Sequence, residues 1–280
     1  MRALVGKCHS ASAPREVSMR RTASEGSIVL KMPSLATVLS AEVRTVAVRR
    51  ALLAEFLGTL LLVFFTAGAV VVTAGMLGER LSSSRLLAAS ITHGLAFGLL
   101  VFALGGSSGG HLNPVLTFAV VLTRRMTFTR GLLYLVAQLV GAVVGAVLLK
   151  LVLPAGVSVA LGVPALGPKV SWEAALVVEG ALAFSLAAVF MASVGKGSAP
   201  VVLGLMTTLG RLFGTALSGA PMNPALAFGV ALTAGVWTSQ WVWWVGPLLG
   251  SALAALLWRS WLSEGEAGRH RGMPRADGGS

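Results

Sequence analysis

The sequence predicts an all-α integral membrane protein: six transmembrane helices plus two re-entrant half-helices, arranged as an inverted repeat. Three observations carry this prediction. First, the chain is 55% hydrophobic and only 11% charged, with a mean hydropathy of +0.83, and a soluble domain would not carry so few charges. Second, several apolar runs reach about 20 residues, the length a helix needs to cross a hydrocarbon core of roughly 30 Å. Third, two stretches echo each other, "SGGHLNPVLTFA" at 108–119 and "SGAPMNPALAFG" at 218–229. A β-barrel would instead show alternating segments of about 10 residues, and the sequence has none.

Full spans are expected at roughly 51–77, 86–104, 131–153, 171–193, 199–217 and 239–261. Two shorter apolar segments remain, 113–123 and 223–234. At a rise of about 1.5 Å per residue each reaches roughly half-way through a bilayer. The copies are visible in the spans too. "YLVAQLVGAVVGAVLL" (134–149) resembles "WWVGPLLGSALAALLW" (243–258), and "LAEFLGTLLLVF" (53–64) resembles "VVEGALAFSLAAVF" (177–190). Each copy reads span, span, half-span, span, with repeats at about 49–153 and 171–262 in a membrane domain covering 49–262. An odd number of full spans per copy makes the copies antiparallel, so the half-spans enter from opposite faces.

The formal charge of +12 does not imply nucleic-acid binding, because of where the charges sit. Arginines cluster before the first span (Arg20, Arg21, Arg44, Arg49, Arg50), in one link (Arg124, Arg125, Arg130) and at the end (Arg269, Arg271, Arg275). That distribution follows the positive-inside rule and puts both tails on the cytosolic side. Residues 1–48 and 263–280 read as disordered tails, the first basic; a transit-like targeting segment is the alternative for the first. The single cysteine, Cys8, gives neither a disulfide framework nor a cysteine metal site. No metal or other cofactor is expected.

Asn113-Pro114 and Asn223-Pro224 each read as a helix start. Proline at the first turn sacrifices no intrahelical hydrogen bond, and asparagine is a favoured N-cap. The irregular backbone before each pair survives at membrane depth only where protein buries it or water wets it. The repeat brings both helix N-termini, each carrying about half a positive charge, to the bilayer midplane. They would repel cations and protons there, while the asparagine amides donate to a passing oxygen.

With these motifs the chain resembles the major intrinsic protein, or aquaporin, family over about residues 50–262. "AEFLGT", "SGGHLNP", "RGLLYLVAQLVGA", "SGAPMNPA" and "WVWWVGPLLG" carry the resemblance. Within the family it most resembles the plant tonoplast-type branch, through "SGGHLNPVLTF", "RGLLYLVAQ" and the histidine at position 93. The resemblance implies a passive channel for water and small neutral solutes that assembles as a homotetramer in a vacuolar-type or plasma membrane. Its signature residues are Asn113, Pro114, Val115, Asn223, Pro224 and Ala225, with Val115 departing from the usual alanine. Counting from the Asn-Pro anchors, the family's selectivity filter falls on His93, Arg211, Ala220 and Leu226. Water channels of the family usually place arginine at the position of Leu226. Here the arginine lies on the fifth span, where it either points into the pore mouth or snorkels to the headgroups. Glu55 and Glu179 occupy matching places in the two repeats and are expected to support the loops, as is His111. The glycerol-channel branch usually has an acidic residue where this chain has Ala227. Trp243-Trp244 fits either the water-type branch or an interfacial belt.

An enzyme is not indicated, since no nucleophile–base pair or carboxylate dyad stands out. A secondary transporter shares the inverted repeat but needs midplane carboxylates for coupling, and asparagines stand there instead. A non-conducting structural membrane protein is the remaining alternative. Ala220 stands where some water channels carry a mercury-sensitive cysteine. Water flux should therefore resist mercuric chloride, and inhibition reversed by added thiol would contradict this.

Overall fold

A computed structural model describes Ser34, Thr37, residues 42–77 and residues 81–262. The expected tails, Cys8 included, lie almost wholly outside these residues. Among the described residues these α-helices follow in chain order: α1 (Val46–Leu77), α2 (Ser83–Ser108), α3 (Pro114–Leu122), α4 (Phe128–Val152), α5 (Trp172–Ser193), α6 (Ala199–Ser218), α7 (Pro224–Ala234) and α8 (Val242–Leu257). Among the described residues, six helices are long and apolar enough to cross a membrane. The two short helices are α3 and α7, where the half-spans were expected.

The bounds differ from the sequence reading in instructive places. α1 begins at Val46 rather than near residue 51, because the Thr45 hydroxyl accepts from Val48 N (3.3 Å) and starts the helix before the apolar run. α2 continues to Ser108 through the Gly105-Gly106 pair. Gly109 stops it in the left-handed conformation (φ 94°), its N–H returning to Gly105 O. The sixth span starts at Val242 and finishes in a π-helical turn over Trp258–Leu262.

The packing obeys the repeat. α1 packs on α4 as α5 packs on α8, α1 on α2 as α5 on α6, and α4 on α7 as α8 on α3, while α2 and α6 meet across the pseudo-axis. Glycines set the closest approaches. Gly141 of α4 lies against the Phe56 carbonyl of α1, and its counterpart Gly250 of α8 lies against the Gly180 carbonyl of α5. At the axis Gly94 and Gly204 face each other's carbonyls. A lipid bilayer supplies no hydrophobic drive between helices, so this close backbone contact is what holds the spans together. Large apolar side chains such as Leu99, Phe102, Leu151 and Leu205 point outward, as a lipid-facing surface requires.

Gly250→Val should lower the detergent-solubilised melting temperature sharply, because its Cβ would overlap backbone and overpacking costs about 1–3 kcal/mol or more. Gly106→Ala, where a Cβ meets nothing within 4 Å, should leave the melting temperature unchanged or raise it. Equal behaviour of the two variants would contradict the packing.

Candidate functional site: a pore built by two half-helices

Each half-helix begins as its sequence dictates. Asn113 caps α3, its Oδ1 accepting from Val115 N (2.9 Å), and Asn223 caps α7, accepting from Ala225 N (3.0 Å) and Leu226 N (3.4 Å). Pro114 and Pro224 take the first helical positions. The amide nitrogens then bind across the repeat. Asn113 Nδ2 donates to Met222 O (2.8 Å), and Asn223 Nδ2 donates to Leu112 O (2.9 Å). A primary amide has two hydrogens, so each asparagine retains one donor beyond this reciprocal lock.

The loops feeding these caps are held in uncommon backbone conformations. Leu112, Ala220 and Met222 have φ of 50°, 44° and 51°, a region costly for residues with a Cβ. Buried carboxylates keep them there. Glu55 accepts from Ser108 Oγ (2.6 Å), His111 N (3.0 Å), Leu112 N (2.7 Å) and Gln138 Nε2 (2.7 Å). Glu179 accepts from Ser218 Oγ (2.5 Å) and Met222 N (3.2 Å). Both are fully buried. His111 is buried as well, its Nδ1 3.1 Å from Thr117 Oγ1 and its ring edge-on to Tyr134 and Phe190.

Two further supports were not legible as such. Tyr134 OH donates to Ser108 O (3.0 Å), and Trp243 Nε1 donates to Ser218 O (2.8 Å). They occupy matching positions in α4 and α8. Trp243 is 1% exposed, so it braces the loop rather than joining an interfacial belt. Trp244 is half-buried, edge-on to Phe228. The alignment of "YLVAQ" with "WWVGP" contained this signal, since both first residues carry a polar donor on a large ring.

Two spaces open between the helices, the inner one beside the paired asparagines and the outer one beside the link before α5. The inner one, about 10 Å³, is lined by His93, Phe97, Asn113, Thr207, Pro221 and Asn223 among others. The outer one, about 180 Å³, is lined by Arg211 and Leu226, with Arg85 and part of the link before α5. Arg211 is turned into the protein and not out to its surface. It is 5% exposed, and its Nη1 donates to Gly219 O (2.7 Å) and Ala220 O (3.3 Å). His93 is buried, with Nδ1 lacking a hydrogen-bond partner among the described residues, and Thr207 Oγ1 is in the same state. Ala220 lines neither space. Its left-handed backbone turns the methyl towards Gly214 on α6, and it meets Arg211 through its carbonyl. Pro114, Val115, Pro224, Ala225 and Leu226 are all buried.

The model of the major intrinsic protein family matches residues 42–258. The chain belongs to this family. It is 42% identical over 227 residues to the lens fiber major intrinsic protein of Gallus gallus, covering 78% of this chain and 83% of that one. It is 40% identical over 224 residues to aquaporin-5 of Mus musculus, covering 78% and 82%. These vertebrate relatives carry the family and not the tonoplast-type branch. The X-ray structure of the aquaglyceroporin from Plasmodium falciparum superposes with a TM-score of 0.68 at 21% identity, over 78% of this chain and 98% of that one, a likeness of fold. The chain is thus a multi-pass membrane channel for water and small solutes, and not an enzyme.

Unequal carboxylates give unequal losses. Glu55→Gln should destabilise the protein more than Glu179→Gln, because it disturbs four donors rather than two. Each buried donor left unmatched costs about 1–3 kcal/mol. Thermal unfolding in one detergent checks the order, and a larger loss at Glu179 would contradict it.

Proposed function

We propose that this channel passes water in preference to urea and glycerol and excludes protons and ions. Its filter lies between the two spaces and consists of His93, Arg211, Leu226 and the carbonyl of Ala220. The observation that carries this reading is the 10 Å³ inner space beside Asn113 and Asn223, since about 10–15 Å³ is what a single water needs. Arg211 takes over, from α6, the cation that the family usually places where Leu226 stands. A guanidinium anchored on two loop carbonyls still offers donors to a passing oxygen and repels cations. The two half-helix N-termini add about half a positive charge each at the midplane and oppose protons.

Both tails are assigned to the cytosol, from the arginine clusters flanking the spans. The assembly is assigned as a homotetramer with one pore per subunit, in a vacuolar-type or plasma membrane, as the family resemblance implies. A wider filter that admits ammonia, urea or hydrogen peroxide is the second reading, and the absence of an arginine at position 226 favours it.

Stopped-flow proteoliposome measurements with water, urea and glycerol gradients separate the two. Wild type should show fast water flux and no urea flux above empty vesicles. Arg211→Ala should keep its water flux and gain urea flux severalfold. Urea flux in wild type that Arg211→Ala leaves unchanged would overturn the assigned filter.

A further inference from the structure

Helical threonines in this chain commonly turn the hydroxyl back on their own helix. Thr66, Thr117, Thr208 and Thr215 each donate to the carbonyl four residues earlier, at 2.7, 3.2, 3.0 and 2.6 Å, the usual outlet for a threonine inside a helix. Thr207, one residue before Thr208 on α6, does not. It is 1% exposed, and its Oγ1 is buried with no hydrogen-bond partner among the described residues. Leaving a buried hydroxyl unmatched is costly, so it calls for a partner from outside the fold. Thr59 and Ser90 are in the same state but line neither of the two spaces. Thr207 lines the inner one, beside Asn113 and Asn223.

The lining of that space follows the inverted repeat except at two places. Leu62 and Leu186 stand at matching distances after Glu55 and Glu179, and Asn113 has Asn223 as its mate. Counted from the facing glycines Gly94 and Gly204, the mate of Thr207 is Phe97 and the mate of His93 is Leu203. Phe97 lines the same space without a polar atom, and Leu203 does not line it. The two lining residues with an unpartnered polar atom, Thr207 and His93, are thus the two that break the repeat. We propose that Thr207 is a pore residue that sets water transit beside the asparagine pair: its hydroxyl accepts a hydrogen from the molecule to which Asn113 and Asn223 offer their remaining amide hydrogens. Water carries lone pairs and hydrogens together, so it answers donors and acceptor at once. In a space of about 10 Å³, where one molecule fits, the wall must replace the hydrogen bonds that water leaves behind. This assignment rests on the channel reading above.

Thr207→Val keeps the shape of the side chain and removes the hydroxyl. In proteoliposomes of the full chain it should lower water flux per channel about threefold to tenfold and raise the activation energy, as the loss of one hydrogen bond implies. Thr207→Ser should restore the flux. Because the hydroxyl has no partner within the fold, Thr207→Val should leave the melting temperature in detergent unchanged or raise it, whereas a threonine that braces the fold would lose stability on the same change. Thr207→Cys tests placement: its water flux should become sensitive to mercuric chloride, with recovery on added thiol, where wild type is not. Fast wild-type water flux that Thr207→Val leaves unchanged overturns the role of Thr207 and leaves the channel reading standing. So does a Thr207→Val variant that fails to fold or melts lower, which would assign the hydroxyl to the fold, and so does a Thr207→Cys pore that mercury does not inhibit. Wild type without water flux above empty vesicles overturns the channel reading, and the role of Thr207 with it.

Discussion

The reciprocal amide lock at the bilayer centre is the constraint on which the rest of this structure depends. Asn113 reaches Met222 O and Asn223 reaches Leu112 O, so each half-helix is capped by its own asparagine and tied to the other repeat by the same side chain. Neither half-helix crosses the membrane alone. Joined end to end, they behave as one interrupted span whose break is satisfied internally, as backbone within hydrocarbon must be. The left-handed residues Leu112, Ala220 and Met222 are the strain this join imposes. Glu55 and Glu179, with Ser108, Ser218, Tyr134 and Trp243, hold it in place.

The helix packing serves that join. The glycine contacts bring α1 against α4 and α5 against α8, which sets Glu55 and Glu179 at fixed heights beside the loops. Gly94 and Gly204 bring α2 and α6 together at the axis, and this sets His93 and Arg211 on two helices packed against each other. In the proposed channel, selectivity rests on polar atoms left unpaired among the described residues, among them one amide hydrogen on each asparagine, His93 Nδ1, Thr207 Oγ1 and Arg211 Nε.

Much of this was legible in the sequence because it repeats. An Asn-Pro pair is ambiguous alone. Two in an inverted repeat specify helix starts meeting at the midplane, and the carboxylates at 55 and 179 occur at matching places for the same reason. What was not legible depends on backbone direction. Position 220 counts as a filter residue by spacing, but a φ of 44° turns its methyl into the core and leaves its carbonyl to Arg211. Trp243 fits either the water-type branch or an interfacial belt by sequence, and only the structure shows that its indole N–H is bonded inside to Ser218 O. The long reach of α2 through two glycines was also hidden, because glycine signals a break until a cap further on shows where the helix stops.

The most direct test of the central claim compares water and proton permeability in the same proteoliposomes. A pore interrupted at its midplane by two fixed amide donors and two positive helix ends should pass water with a low activation energy. A pH gradient under an imposed potential should decay no faster than in empty vesicles. Proton flux that rises with the amount of protein, or water flux with the activation energy of bare lipid, would contradict it.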